Sequence, residues 1–199
     1  MPGPPGRDNR VETTVPRKAR KREYVTYEVL RPASDNCRGR ENTEVDVAKW
    51  VTRERPKTDR IACPWLIRNF IDPDAEFLYV PADEVLEVAK RESAHSYDAP
   101  DAEYTHRDGL CSFEVLIEDH AIEDPALRLL ARIVHGADIA GDRDATPQSR
   151  GLLAVAEGFS LLNLTDHRQL ELSLPVYDAL YAWCKAEMDR DPEALGERP

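Results

Sequence analysis

The chain has 199 residues, a formal charge of -11 and 41% hydrophobic side chains, enough for one domain with its own core plus a tail. Residues 1–46 hold 10 basic against 8 acidic side chains and the remainder 17 against 30, so the folded part is acidic, which argues against nonspecific binding to nucleic acid or an anionic membrane. No apolar run reaches the roughly 18 residues of a membrane span and the amino terminus carries no hydrophobic signal segment, so the expected compartment is the cytoplasm. In that compartment Cys37, Cys63, Cys111 and Cys184 are expected as free thiols.

Residues 1–46 are predicted to be a mostly disordered, basic, Pro-rich tail, because residues 1–22 offer almost no large apolar group to offset the entropy of ordering. Within it, "REYVTYEVLRP" (22–32) alternates well enough for a strand. A domain is expected over 47–190, followed by a flexible end at 191–199. "KWVTR" and "EFLYV" (76–80) read as short strands and "PADEVLEVAKRE" (81–92) as a helix with Val85, Leu86, Val88 and Ala89 inward. "SYDAPDAEYTHRDG" (96–109) reads as a loose hairpin, and Ser112 as the cap of a helix carrying Phe113, Leu116 and Ile117.

The second half reads as helical. Asp124 with Pro125 and Thr146 with Pro147 are N-cap and first-turn pairs, and Gly136 is placed to end the helix between them. Leu170, Leu174, Tyr177, Tyr181, Cys184 and Met188 form one helical seam, within which Pro175 is expected to introduce a kink. The predicted fold is α+β: a small mixed sheet with short crossover helices, packed against a C-terminal helical layer.

The stretch "PKTDRIACPWLIRNF" (56–70) carries the first candidate site. A proline deep in a helix costs about 3 kcal/mol while the first helical position accepts it, so a helix is predicted to start at Pro64 with Cys63 as its N-cap. There the helix dipole favours a thiolate, which makes Cys63 the candidate nucleophile. Arg53, Arg55, Lys57, Asp59 and Arg60 lead into that mouth and, with Cys63, form a candidate site for a small oxyanion. The alternative is that Cys63 is buried filler and the charged residues are paired or solvated. A second group is "HRDGLCS", where His106 and Cys111, with His167 and Cys63 as further donors, are candidate ligands for a divalent metal. Asp138 is a candidate for the same cavity. His120 and His135 read as cations that complement helix C-termini, and Cys184 as core.

The residues from "WVTRERPKTDRIACPWLIRNFIDPDAEFLYVPADEV" (50–85), followed in order by "THRDGLCSF", "RIVHGAD", "GLLAVAEGFS" and "LPVYDALYAWC", resemble the C-terminal domain family of the chromate-resistance protein ChrB, over about residues 48–186. The resemblance implies a bacterial cytosolic protein that acts on or senses chromate or its consequences. Longer members carry an N-terminal domain implicated in chromate-responsive regulation, which residues 1–46 do not resemble. Three functions are therefore expected as alternatives: an oxyanion-binding or sensing module, a thiolate- or metal-dependent enzyme of chromate or oxidative-stress detoxification, and a non-catalytic interaction domain for a protein partner.

Overall fold

The computed structural model describes residues 47–191, in the order β1 (Lys49–Arg53), α1 (Asp59–Leu66), β2 (Glu76–Val80), α2 (Val85–Glu92), β3 (His95–Ser96), α3 (Ser112–Asp119), α4 (Pro125–Asp138), α5 (Pro147–Ser160) and α6 (Asp166–Arg190). The tail, its expected strand at 22–32 and Cys37 lie outside the described residues, as do residues 192–199. Among the described residues no helix is long and apolar enough to cross a membrane.

The three strands lie in the order β2-β1-β3, with β1 central and parallel to both neighbours. The α+β architecture matches the expectation from sequence, but the sheet is parallel throughout rather than mixed. Along β1, Trp50 joins the main core and Val51 packs with Val85, Val88, Ala99 and Ala102 on the opposite face, as alternation along a strand requires. Helix α2 covers the Val51 face. The Trp50 face, continued by Phe77 and Tyr97, meets α1 and the helical layer. The hairpin expected at 96–109 does not form: Tyr97 N–H donates to Val51 O at 3.0 Å and Tyr104 N–H to Ser96 O at 3.0 Å, so this segment extends the parallel ladder before becoming loop.

Helix α1 begins at Asp59, ahead of the predicted start, and runs through Pro64 before a π-helical turn at Ile67–Ile71. The early start buries Ile61, Ala62 and Cys63. Burying Ile61 contributes about 1.5–3 kcal/mol and, with Ala62 and Cys63, offsets the roughly 3 kcal/mol cost of an internal proline. The Arg60 carbonyl, which Pro64 cannot serve, faces the Tyr79 hydroxyl at 3.4 Å.

In the helical layer, α4 packs on α1, α3, α5 and α6. Asp124 caps α4 by accepting from Leu127 N–H at 2.7 Å, and Thr146 caps α5 by accepting from Ser149 N–H at 3.2 Å. On α6, Leu170, Tyr177 and Cys184 are buried along the anticipated seam, and the helix continues through Pro175. Its first half also holds the loop between β1 and α1: Asp166 Oδ1 accepts from Arg55 N–H at 2.9 Å, Gln169 Nε2 donates to Pro56 O at 2.5 Å and the Tyr177 hydroxyl to Thr58 O at 3.1 Å.

Gly136 does not end α4, which continues to Asp138. Its role is close approach: a Cβ there would stand 2.5 Å from Ser149 Oγ and 2.8 Å from Asp142 O. Gly136→Ala is expected to destabilise the fold by about 1–3 kcal/mol through overpacking. Gly158→Ala, also inside a helix but with nothing within 4 Å, should stabilise it by about 0.5–1 kcal/mol. Urea unfolding of the two variants tests the pair, and equal effects would contradict this account.

Candidate functional site

In an open parallel sheet, ligand sites gather beyond the carboxyl ends of the strands, where successive connections leave in opposite directions. Here that point lies between β1 and β3, and the chain leaving each strand delivers an aspartate. Asp59 opens α1, is 1% exposed, and its Oδ2 accepts from the backbone N–H of Ser112 at 2.7 Å. Ser112 is the first residue of α3, so this carboxylate sits on a helix N-terminus, where negative charge is stabilised. Asp98 follows β3 with a φ of 44°, a left-handed conformation that aspartate tolerates better than most residues. Its Oδ1 accepts from the Ser112 hydroxyl at 3.3 Å, and its Oδ2 from Arg60 Nη1 at 3.0 Å and Arg53 Nη2 at 3.2 Å. Asp138, the last residue of α4, completes the acidic wall.

His106, in the loop before α3, inserts into this wall. Its Nε2 is 3.3 Å from Asp59 Oδ2, 3.3 Å from Asp98 Oδ1 and 3.4 Å from Asp138 Oδ2. One N–H cannot serve three carboxylate oxygens well. Hydrogen bonds donated to the Asp59 and Asp98 carboxylates hold the imidazole protonated, with a pKa raised to about 10. Burial, then the charges of Asp59 and Asp98, raise Asp138 to about 7. Burial also raises Asp59. For Asp98 burial acts upward but is outweighed by His106, Arg60 and Arg53, which leave its pKa lowered. Asp59 Oδ1 is buried with no hydrogen-bond partner among the described residues.

This geometry suits a cation. Donor atoms of Asp59, His106 and Asp138 all lie within 4.8 Å of one another. Ligands held ~2.0–2.1 Å from a tetrahedral ion stand ~3.3–3.4 Å apart, the spacing already present around His106 Nε2. Carboxylate oxygens with one imidazole fit a hard or borderline divalent ion. The His106 side chain, 39% exposed, forms the solvent side.

The residues singled out from the sequence are thus redistributed. Asp59, His106 and Asp138 come together. Arg53 and Arg60 are near them, but their guanidinium groups are turned to Asp98. Arg55 meets Asp166 through its backbone, and Lys57 lines a small hollow beside Leu152 and Phe159. Cys63 is not an N-cap: it lies inside α1, 0% exposed, and burial followed by the nearby Asp59 and Asp98 charges pushes its thiol well above the ordinary range. His167 stands apart, its ring 5.3 Å from that of Tyr79. Cys111 is the N-cap of α3, where Ser112 was expected, and its neighbours are Glu114 and His135 rather than His106. His135 does more than complement a helix end, since both ring nitrogens face carboxylates. Asp98 and Ser112 carried no site signal in the sequence.

Two outcomes follow for the cation-free protein. His106 has a folded pKa above its ordinary 6.5, so its contribution to stability is complete below pH 6.5 and is lost as pH rises through about 10. Its ring should titrate near 10 by NMR and move down toward 6.5 in Asp59→Asn; titration near 6.5 in the parent would contradict the site geometry. Cys63→Ser places a hydroxyl in the core and should cost roughly 1–3 kcal/mol in thermal unfolding. An undiminished melting temperature would show that the position tolerates polarity.

A family model described as "ChrB, C-terminal domain" matches residues 50–184. Protein ChrB of Cupriavidus metallidurans is 34% identical over 147 residues, covering 73% of this chain and 44% of that relative, so the chain spans less than half its length. No solved structure matches. The match across β1 to α6 assigns the chain to a family: it belongs to the ChrB C-terminal domain family.

Proposed function

We propose that this ChrB-family chain takes part in the chromate response as a divalent-cation-dependent protein, with Asp59, Asp138 and His106 holding the ion and Asp98 available as a further ligand. The observation that supports this most directly is the convergence of three carboxylate oxygens on one imidazole nitrogen. In the cation-free protein, protonated His106 neutralises part of that charge. Loss of its proton and arrival of an ion leave the same donors around a stronger counter-charge.

The second element of the reading is the oxyanion. Arg53 and Arg60 are engaged by Asp98, so an incoming tetrahedral dianion of the chromate class meets the ion from the His106 side rather than a free basic mouth. A bound ion supplies Lewis acidity toward an oxygen ligand. Arg53 and Arg60 then hold Asp98 in place, and Cys63, fully buried beside Asp59 and Asp98, keeps water from that side. This favours the metal-dependent alternative over a cysteine nucleophile, whose thiol would have to ionise in the core.

Calorimetry on chelator-treated full-length protein with Mn2+ and Mg2+, hard ions that the sulfur-containing cluster does not favour, tests the proposal. One ion should bind, with affinity rising with pH toward about 10 as the His106 proton is displaced. Ser112→Ala keeps the backbone donor to Asp59 and removes only the hydroxyl to Asp98, so its affinity should fall about 10–100-fold; Asp59→Asn should fall further. Chromate should bind the loaded protein and not the stripped one. Absence of ion binding, or affinity unchanged in Asp59→Asn, would end the metal reading. Equal chromate binding with and without the ion would end the oxyanion part alone.

A further inference from the structure

The N-cap position that the sequence suggested for Cys63 is taken, in the structure, by Cys111. Its thiol is fully buried and pushed well above its ordinary range by burial and then by the Asp59 and Glu114 charges, so that its chemistry is that of a ligand to an ion and not of a free thiolate. This cysteine is the N-cap of α3, and Glu114 in the first turn of the same helix returns its carboxylate to the Cys111 N–H at 3.1 Å. From α4, His135 brings Nδ1 to 2.6 Å from Glu114 Oε2, while its Nε2 faces Asp142 Oδ2 at 3.0 Å. Donor atoms of Cys111, Glu114 and His135 all lie within 4.8 Å of one another. An outer carboxylate on one ring nitrogen fixes the tautomer so that the other nitrogen can face a metal. Asp142 is placed to do this for His135, directing Nδ1 toward the sulfur and Glu114.

We propose that Cys111, Glu114 and His135 form a second cation site, separate from the aspartate cluster, which takes a borderline ion such as Zn2+ through thiolate, carboxylate and imidazole. The donor chemistry distinguishes the two. The first site offers oxygen and one imidazole, whereas the second adds sulfur, which selects softer ions. The three protein ligands leave a fourth position, the arrangement of zinc sites that accept an outside ligand. Glu114, His135 and Asp142 line a groove of about 1020 Å3, together with Ile117, Arg128 and Arg132, while Cys111 is buried behind Glu114. On binding, the ion replaces the thiol proton of Cys111 and the proton between His135 Nδ1 and Glu114, both of which leave to solvent, and no electron is transferred. The proposal stands independently of the first site.

Co2+ is the probe, because cobalt bound to a thiolate gives an intense near-ultraviolet charge-transfer band that oxygen and imidazole ligands do not produce. Full-length, chelator-treated protein should develop this band on Co2+ addition and lose it on addition of Zn2+. The band should vanish in Cys111→Ser and persist in Cys63→Ser. No band in the parent, its survival in Cys111→Ser or its loss in Cys63→Ser would each overturn the assignment. Should Cys111→Ser not fold, as judged by circular dichroism, His135→Gln serves in its place: a tenfold or greater loss of Co2+ affinity read at the band supports the site, and unchanged affinity overturns it.

Discussion

The hydrogen bond from the Ser112 backbone to Asp59 is the contact on which the arrangement of this domain depends. A fully buried carboxylate is costly unless its oxygens are paired, and Asp59 is 1% exposed. Its Oδ2 is compensated by the N-terminus of α3, which can reach it only if α3 lies against the start of α1. That requirement fixes Cys111 and Ser112 at the bottom of the site and aims the Ser112 hydroxyl at Asp98. Asp98 in turn depends on β3 pairing beside β1, with Tyr97 N–H bound to Val51 O. From the other side, α6 fixes the loop before Asp59 through Asp166, Gln169 and Tyr177. Sheet, crossover helix and helical layer are thus joined by one buried negative charge.

This also explains which features were legible in the sequence. The capped starts of α4 and α5 and the seam of α6 rest on signals within a few residues, so local chemistry identified them. The start of α1 did not follow its local signal, because burying Ile61, Ala62 and Cys63 in the added turn offsets what Pro64 costs. Gly136 looked like a terminator and is instead a contact with Ser149, a partner 13 residues away whose approach depends on how α4 and α5 pack. Cys63 and Cys111 each precede a residue suited to start a helix. Only the tertiary fold puts the second at an N-cap and the first inside a helix.

At the candidate site, residue types were easier to recognise than their grouping. Asp59, His106 and Asp138 stood out singly, yet Asp59 looked like part of a basic mouth because four cationic side chains surround it in sequence. The structure turns Arg53 and Arg60 to Asp98, a residue from a distant loop, and this pairing removes the basic character. Asp98 is visible only once β3 pairs with β1. His135 had an adequate local explanation at the end of a helix, and it took the packing of α3 against α4 to place Glu114 2.6 Å from its ring.

The two clusters share their supports. His135 and Asp138 are three residues apart on α4 and so lie on neighbouring positions of one helix face, while Cys111, Ser112 and Glu114 occupy the first turn of α3. Small movement of α3 along α4 would alter both donor sets together. Each cluster places a histidine among acids: His106 among three aspartates, and His135 between Glu114 and Asp142. The fold also has an apolar core of its own, unlike small zinc domains that are unfolded without metal. Its core is formed by Trp50, Trp65, Phe113, Leu127, Leu130 and Ile133, and its buried acids have histidine partners already in place. Under the two proposals, an ion entering either cluster would compete with a proton rather than with the unfolded chain, and its occupancy would then follow the composition of the solution while the scaffold stays the same.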